Sequence, residues 1–350
     1  MTALRCALGR GRTTEVEIGV DLGADLAPCL ARLGPGRRTF AVVDAAVDGA
    51  HGARLAALAT RFVLPGGEQS KTLATLERIL RALAMLPADR DTIVVVAGGG
   101  SIGDVGGLAA SLYARGLDLV LLPTTLLAMV DSCVGGKTAI DLPEGKNLAG
   151  TFHPARLVAI DFAFLTSLPQ DEFRSGLGEL LKVAVGLSPA LFDLIEAHAD
   201  ALLARDPDTL ARAVQLALAA KITVVEADPE DRGARRLLNL GHTLGHALEA
   251  HAGYRVAHGI AVARGVHFAI ALAARLGVLA APDAERARAL LERCGFSAGA
   301  LPPAGELLPF LRRDKKAAGD AVAFVLPSAI GASTVADLAW SEVASTLDAR

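Results

Sequence analysis

The chain has 350 residues, 52% hydrophobic and 21% charged, with 35 Lys and Arg against 38 Asp and Glu for a formal net charge of −3. That is enough chain for two domains with real cores, too apolar for disorder, and too nearly neutral to present the positive field that nucleic acid or an anionic membrane would need. No uninterrupted apolar run reaches the roughly 18 residues of a spanning helix, the N-terminus MTALRCALGRGRTTEVEIG has no apolar signal core, and Cys6, Cys29, Cys133 and Cys294 show no CxxC spacing. The expectation is a cytoplasmic enzyme with no nucleic-acid or membrane partner.

Near-continuous apolar runs ending in turn residues predict buried strands at 39–44, 61–64, 92–97, 117–122 and 157–161. Between them, Leu73, Leu76, Ile79, Leu80 and Leu83 form a helical stripe over 72–86, and a further helix is read over 105–113. This alternation predicts a doubly wound, Rossmann-like parallel sheet over residues 1–167. From Leu168 the pattern turns to long Ala/Leu-rich helices, at 173–186, 190–203, 209–227, 242–252, 259–276 and 284–294, with one short strand at 322–326. An α/β N-terminal domain and a mostly helical C-terminal domain, 168–350, are expected to enclose a ligand cleft.

Three clusters could carry chemistry. Gly98-Gly99-Gly100-Ser101-Ile102-Gly103-Asp104 follows a predicted strand and opens a helix, where free N–H groups favour a phosphate; a tight turn without ligand is the plain alternative. Asp44, at a strand end, is placed either to take ribose hydroxyls or to cap a helix, and Glu68 and Lys71 could reach the same nucleotide or be a solvated pair. Asp131 to Thr138 and Glu144 to Asn147 set Lys137 and Lys146 on glycine-flanked loops. The Gly136-Lys137-Thr138 run fails the P-loop pattern, because Asp131 stands where its first glycine belongs.

The third cluster is the most specific. Glu179 and Lys182 share a helix face, His242 and His246 lie one turn apart, and His258 follows. A carboxylate with two imidazoles suits Zn2+ with an open coordination position; spacing alone does not choose among the three histidines, and HExxH is absent. His51, His153, His198, His251 and His267 are read as structural. Only seven basic residues are lysine (Lys71, Lys137, Lys146, Lys182, Lys221, Lys315 and Lys316), the rest arginine. Lysines kept against that bias suggest sites that need a compact ammonium, and with Arg235 they suit a substrate bearing more than one anionic group.

GGGSIGDVGG, PTTLLAMVDSCVGGKTAIDLPEGKN, FRSGLGELLK, RRLLNLGHTLGHALE and the AHG around His258 together resemble the 3-dehydroquinate synthase family of sugar phosphate cyclases, in matching order from about residue 39 to about 335. The resemblance implies a homodimer, a bound NAD that is regenerated in each turnover, and Zn2+ or Co2+. It implies Glu179, His242 and His258 as metal ligands, with His246 behind them or on the substrate's anion. Asp44, Glu68, Lys71, Gly99, Gly100, Ser101, Ile102, Gly103, Asp104, Thr124, Thr125, Lys137, Lys146 and the stretch Phe164, Leu165, Thr166, Ser167 and Leu168 match nucleotide-binding positions. Asp131, Lys137, Lys146, Asn147, Lys182, Lys221, Arg235, Asn239, His246 and one of Lys315 and Lys316 match the substrate pocket, and Arg115 an arginine that reaches a neighbouring subunit.

The implied reaction converts 3-deoxy-D-arabino-heptulosonate 7-phosphate to 3-dehydroquinate and phosphate, a step of the shikimate pathway to aromatic amino acids. Lys137, His246 and Asn239 are the candidates for the substrate's phosphate, Lys221 and Arg235 for its carboxylate. The chain departs from the family's usual residues at Gly178 (commonly Ala), Asp231 (commonly Glu) and Ile260 (commonly acidic). An aminodehydroquinate synthase is the nearest alternative. Cyclases of sedoheptulose 7-phosphate or an inosose synthase would not need the carboxylate-binding cations, and a metal-dependent polyol or alcohol dehydrogenase would not need so many substrate lysines. A binding protein without catalysis would be expected to have lost metal ligands.

Overall fold

The structure is a computed structural model that describes residues 2–8, 11–86, 88–312, 317–318 and 321–349. It divides into two units, residues 1–169 and 170–350.

In the first unit the elements run β1 (Thr2–Ala7), β2 (Thr13–Ile18), α1 (Leu22–Arg32), β3 (Thr39–Asp44), α2 (Ala45–His51), β4 (Arg61–Leu64) and α3 (Leu73–Met85). They continue with β5 (Ile93–Gly98), α4 (Gly100–Leu112), β6 (Asp118–Pro123), β7 (Lys137–Leu142), β8 (Gly145–Phe152) and β9 (Leu157–Ile160). Seven strands form one sheet in the order β1-β2-β9-β6-β5-β3-β4. All its pairings are parallel except β1 with β2. Strand β5 is buried along its whole length, as a central parallel strand covered on both faces should be. Its neighbours β3 and β6 order the sheet so that Asp44, Gly98 and Pro123 all lie at carboxyl ends, where doubly wound sheets bind ligands.

Two features differ from the sequence reading. The segment around Lys137 and Lys146 is an antiparallel hairpin, β7 with β8, rather than two loops; its glycines and mostly exposed second strand hide the alternation that marks a strand. Helix α4 begins at Gly100, not at residue 105, so Ser101, Ile102, Gly103 and Asp104 form its first turn. Glycine's low helix propensity argues for a longer turn, and packing overrides it: Ile102 is buried against the end of β5, and a Cβ on Gly98 would come within 2.7 Å of its Cβ, so the first turn of α4 fits there only because position 98 is glycine.

The second unit runs α5 (Gln170–Leu187), α6 (Pro189–Leu203), α7 (Pro207–Ala227), α8 (His242–His251), α9 (His258–Arg275), α10 (Ala281–Arg293), α11 (Ala304–Leu311), β10 (Ala317–Ala318), β11 (Ala321–Ala329), β12 (Ala332–Ala339) and α12 (Trp340–Asp348). Helix α5 is buried on every side from Ser175 to Gly186, and α6, α7, α9 and the β11–β12 hairpin pack around it. Such a helix sits at a centre rather than a surface. The one short strand expected at 322–326 is part of that hairpin, and the structure adds two helices, α11 and α12, to those the sequence predicts for this unit. The partner strand β12 exposes most of its residues, so it lacks the apolar run that reveals a buried strand. Among the described residues no helix is long and apolar enough to cross a membrane.

Candidate active site

Within the first unit, the sequence-predicted nucleotide residues cluster at the β5–α4 turn. Gly99 precedes the helix in an extended conformation and makes no side-chain cap, so the first-turn N–H groups of α4 are offered outward. Thr124 N donates to Gly98 O at 3.0 Å, and Ala128 N donates to Thr125 Oγ1 at 3.1 Å, which fixes the next strand end beside the turn. Gly98, Gly99, Gly100, Asp104, Lys137 and Thr138 line one cavity. Lysine 71 is the hub of the cluster. Its buried ammonium lies 2.9 Å from Asp104, 3.6 Å from Glu68 and 3.8 Å from Asp141, and it donates to Asn147 Oδ1.

Burial alone would lower the Lys71 pKa, but the carboxylate of Asp104, with Glu68 and Asp141, outweighs it and raises it. Burial likewise opposes ionisation of Glu68, yet Lys71, the Ser101 hydroxyl (2.7 Å) and Lys146 (3.5 Å) hold its pKa below the usual carboxylate range. Asn147 therefore stands with the nucleotide cluster. Its φ of 56° is left-handed, a conformation that Asn tolerates, and its N–H donates to Asp141 Oδ1 at 2.8 Å. Asp141, which the sequence reading missed, could have been found only through this pairing; alone, it reads as a turn carboxylate.

Asp44 accepts from Ala46 N at 2.8 Å and caps α2, while a Cβ on Gly66 would come 2.3 Å from its Oδ2; the carboxylate thus faces the Pro65–Gly67 turn. At the other end of α2, His51 Nε2 lies 2.7 Å from Ser167 Oγ and its ring meets Phe164 edge-on. The histidine read as structural thus holds the 164–168 segment, whose Thr166 and Ser167 are exposed while Phe164 and Leu165 are buried. Asp131 lies in the π-helical turn Ala128–Ser132. Arg115 stands apart. It follows the far end of α4, is exposed with φ of 67°, and shares a cavity with Arg5, Arg12, Arg90 and Arg156 rather than with the Gly99 turn.

The second unit assembles the other group. Glu179 on α5, His242 at the start of α8 and His258 at the start of α9 each bring one ligand atom within 4.8 Å of the others. Helix crossings set this spacing. A Cβ on Gly178 would come 2.0 Å from Gly259 O, and one on Gly265 would come 1.9 Å from Gly241 O. Backbones at such separation let α5, α8 and α9 deliver the residue beside each crossing to one point. Gly241, with φ of 77°, also supplies the left-handed turn that starts α8 at His242.

Lys182 Nζ is 2.6 Å from Glu179 Oε2, and the Nε2 atoms of His258 and His242 are 3.3 and 3.6 Å from Oε1. Both carboxylate oxygens are buried, and neither meets a donor in hydrogen-bond alignment. Burial would raise the Glu179 pKa; Lys182 and the two histidines outweigh it and hold it well below the usual range. Burial keeps His242 neutral by lowering its pKa well below the ordinary histidine value. Burial would lower the His258 pKa, but the carboxylates of Glu179 and Glu249, 3.3 and 3.2 Å from its two ring nitrogens, outweigh it and push it up to about 10. An ionised carboxylate with lone pairs free in alignment, one neutral imidazole and a second that must give up a proton form a donor set that fits a divalent metal.

The ring of His246 stacks on His258 and meets His242 edge-on, with its side chain exposed. Lys182, Lys221 and Arg235 are buried. Arg235 and Asn239 lie in the 3₁₀ turn Ala234–Asn239, which packs on α5 and α7. Asp228 orders the loop before it by accepting from the N–H groups of Arg232, Gly233 and Arg235. Lys315 and Lys316 lie outside the described residues.

Family models for the N-terminal and C-terminal parts of 3-dehydroquinate synthase match residues 61–175 and 176–317 in succession. The chain belongs to the 3-dehydroquinate synthase family of sugar phosphate cyclases. A 2-deoxy-scyllo-inosose synthase solved with carbaglucose-6-phosphate, NAD+ and Co2+ is similar over 99% of both chains, at 25% identity and TM-score 0.87. The 2-epi-5-epi-valiolone synthase of Streptomyces hygroscopicus subsp. jinggangensis 5008, solved with NAD+ and Zn2+, is 28% identical with TM-score 0.85 over 96% of this chain and 95% of its own. A glycerol dehydrogenase from Schizosaccharomyces pombe shares the fold alone, at 15% identity and TM-score 0.64 over 95% of this chain and 88% of its own.

Proposed function

We propose that the chain is a 3-dehydroquinate synthase. It would convert 3-deoxy-D-arabino-heptulosonate 7-phosphate to 3-dehydroquinate and phosphate by transient oxidation, β-elimination, reduction and intramolecular aldol closure. The observation that carries this reading is the Glu179, His242 and His258 donor set built into the same unit as the buried cations Lys182, Lys221 and Arg235. Lys182 is matched by Glu179 at 2.6 Å; Lys221 and Arg235 add further buried positive charge to the same unit, which suits a substrate with a carboxylate and a phosphate better than a neutral polyol.

NAD belongs at the Gly99–Asp104 turn, with Asp44, Glu68, Lys71 and the Phe164–Leu168 stretch around it. Zn2+ or Co2+ belongs on Glu179, His242 and His258. When bound, the metal supplies a Lewis acid that lowers the pKa of a coordinated hydroxyl, and NAD supplies a reversible hydride acceptor. The chain's own residues do the remaining work. Lys182 neutralises Glu179 and keeps it ionised as a ligand. Lys221 and Arg235, pre-formed and desolvated, hold the carboxylate and orient the substrate. Asn239 and His246 take the phosphate and stabilise its charge as it leaves.

The similarity to inosose and valiolone synthases supports a second reading, in which the same chemistry acts on a sugar phosphate without a carboxylate. Phosphate release by zinc-loaded protein with catalytic NAD+ separates the two. Release from 3-deoxy-D-arabino-heptulosonate 7-phosphate, well above that from its amino analogue, sedoheptulose 7-phosphate or glucose 6-phosphate, is expected. A preference for any of the other three would move the chain to that substrate.

A further inference from the structure

Three of the residues on one face of α8 are His242, His246 and Glu249, at i, i+4 and i+7. The last is a carboxylate only 6% exposed, and a buried carboxylate needs a reason. Its Oε2 lies 3.2 Å from His258 Nδ1, while His258 Nε2 lies 3.3 Å from Glu179 Oε1. The His258 ring is therefore held at both nitrogens by carboxylates from two different helices. His242 is oriented at its own Nδ1 by a backbone carbonyl, Leu240 O at 3.2 Å.

We infer that Glu249 is a positioning residue for the metal centre: it accepts the Nδ1–H of His258, fixes that tautomer and turns the Nε2 lone pair toward the point shared with Glu179 and His242. Each ligand histidine then has one acceptor behind it, a carbonyl for His242 and a carboxylate for His258. A carboxylate in that place raises the basicity of the ring as a ligand. The inference rests on the reading that Glu179, His242 and His258 hold a divalent metal.

The test is Zn2+ affinity, measured on the metal-stripped full chain by competition with a chromophoric chelator. Wild type, Glu249→Ala, Glu249→Gln and Glu179→Ala are compared, each first checked for native circular dichroism. Wild type should bind one equivalent. Glu249→Ala should bind roughly 10- to 100-fold more weakly, with a changed visible spectrum for Co2+. Glu249→Gln should fall between them, since its amide oxygen still accepts the Nδ1–H but carries no charge, and it serves alone if the alanine variant does not fold. A folded Glu249→Ala, or failing that Glu249→Gln, with wild-type affinity would overturn the inference.

His246, Glu249 and His258 also bring one ligand atom each within 4.8 Å, so stoichiometry matters. Two equivalents in wild type and one in Glu249→Gln would overturn the inference by making Glu249 a ligand itself. If Glu179→Ala binds Zn2+ as tightly as wild type, the metal reading itself is wrong and the inference falls with it.

Discussion

Gly178 and Gly259 touch backbone to backbone: a methyl group on Gly178 would stand 2.0 Å from the Gly259 carbonyl oxygen. Each glycine adjoins a residue of the candidate metal site, Glu179 on α5 and His258 on α9, so this crossing sets the 3.3 Å between them. The family resemblance leads one to expect alanine at 178, and in this chain no alanine fits without moving a helix.

Gly178→Ala should therefore force α5 from α9. We expect a loss of about 1–3 kcal/mol in stability from overpacking, seen as a lower melting temperature, together with weaker Zn2+ binding in a chelator competition. Unchanged metal affinity alongside reduced stability would show that the crossing supports the fold but not the site.

Lys71→Met should destabilise the first unit by about 3–5 kcal/mol, because Asp104, Glu68 and Asp141 lose the cation they surround. NAD+ affinity should fall with it. The pH dependence has a definite sign. A lysine whose pKa is raised on folding contributes stability that is fully present below its unfolded value of about 10.4 and is lost as pH rises through the folded value. The wild-type advantage over Lys71→Met should thus hold across neutral pH and shrink in strong alkali. Melting curves of the two proteins between pH 7 and strongly alkaline pH check this.

Much of the fold was legible because its signals are local. The runs at β3, β5 and β6 are apolar enough to name themselves, and the stripe of α3 is regular. What escaped were elements whose identity depends on partners. The β7–β8 hairpin is glycine-rich and exposed on one strand, β12 is mostly exposed and gains its identity by pairing with β11, and α4 starts on glycines whose low helix propensity masks its first turn. The same division holds at the site. Glu179, His242 and His258 stand in distinctive motifs, whereas Asp141 and Glu249 gain meaning only from the residues opposite them in space, Lys71 and His258.

Lys221→Ala should discriminate between substrates. If its buried ammonium holds the substrate carboxylate, the variant should lose roughly 100-fold or more in kcat/KM on the heptulosonate phosphate, in line with the about 3–5 kcal/mol cost of breaking a buried charge pair. Turnover of sedoheptulose 7-phosphate, which has no carboxylate, should change little. Steady-state phosphate release on both sugars reads this directly, and equal losses would remove Lys221 from the carboxylate site.

Glu179→Gln should cost stability as well as metal. Lys182 loses the carboxylate 2.6 Å from its ammonium in an interior where both side chains are almost wholly buried. Adding Lys182→Met should restore part of the melting temperature without restoring Zn2+ binding. Recovery of both would mean that the carboxylate is an ion-pair partner and not a ligand.

Oxidation and reduction within one turnover would separate a cyclase from the dehydrogenases that share its fold. The most direct measurement is the number of phosphates released per NAD+ present, with NADH absorbance followed at the same time. With zinc-loaded protein, substoichiometric NAD+ and excess 3-deoxy-D-arabino-heptulosonate 7-phosphate, many phosphates per NAD+ and no accumulated NADH are expected. Phosphate release that stops at one equivalent, or NADH that accumulates with product, would contradict a redox cycle closed within each turnover.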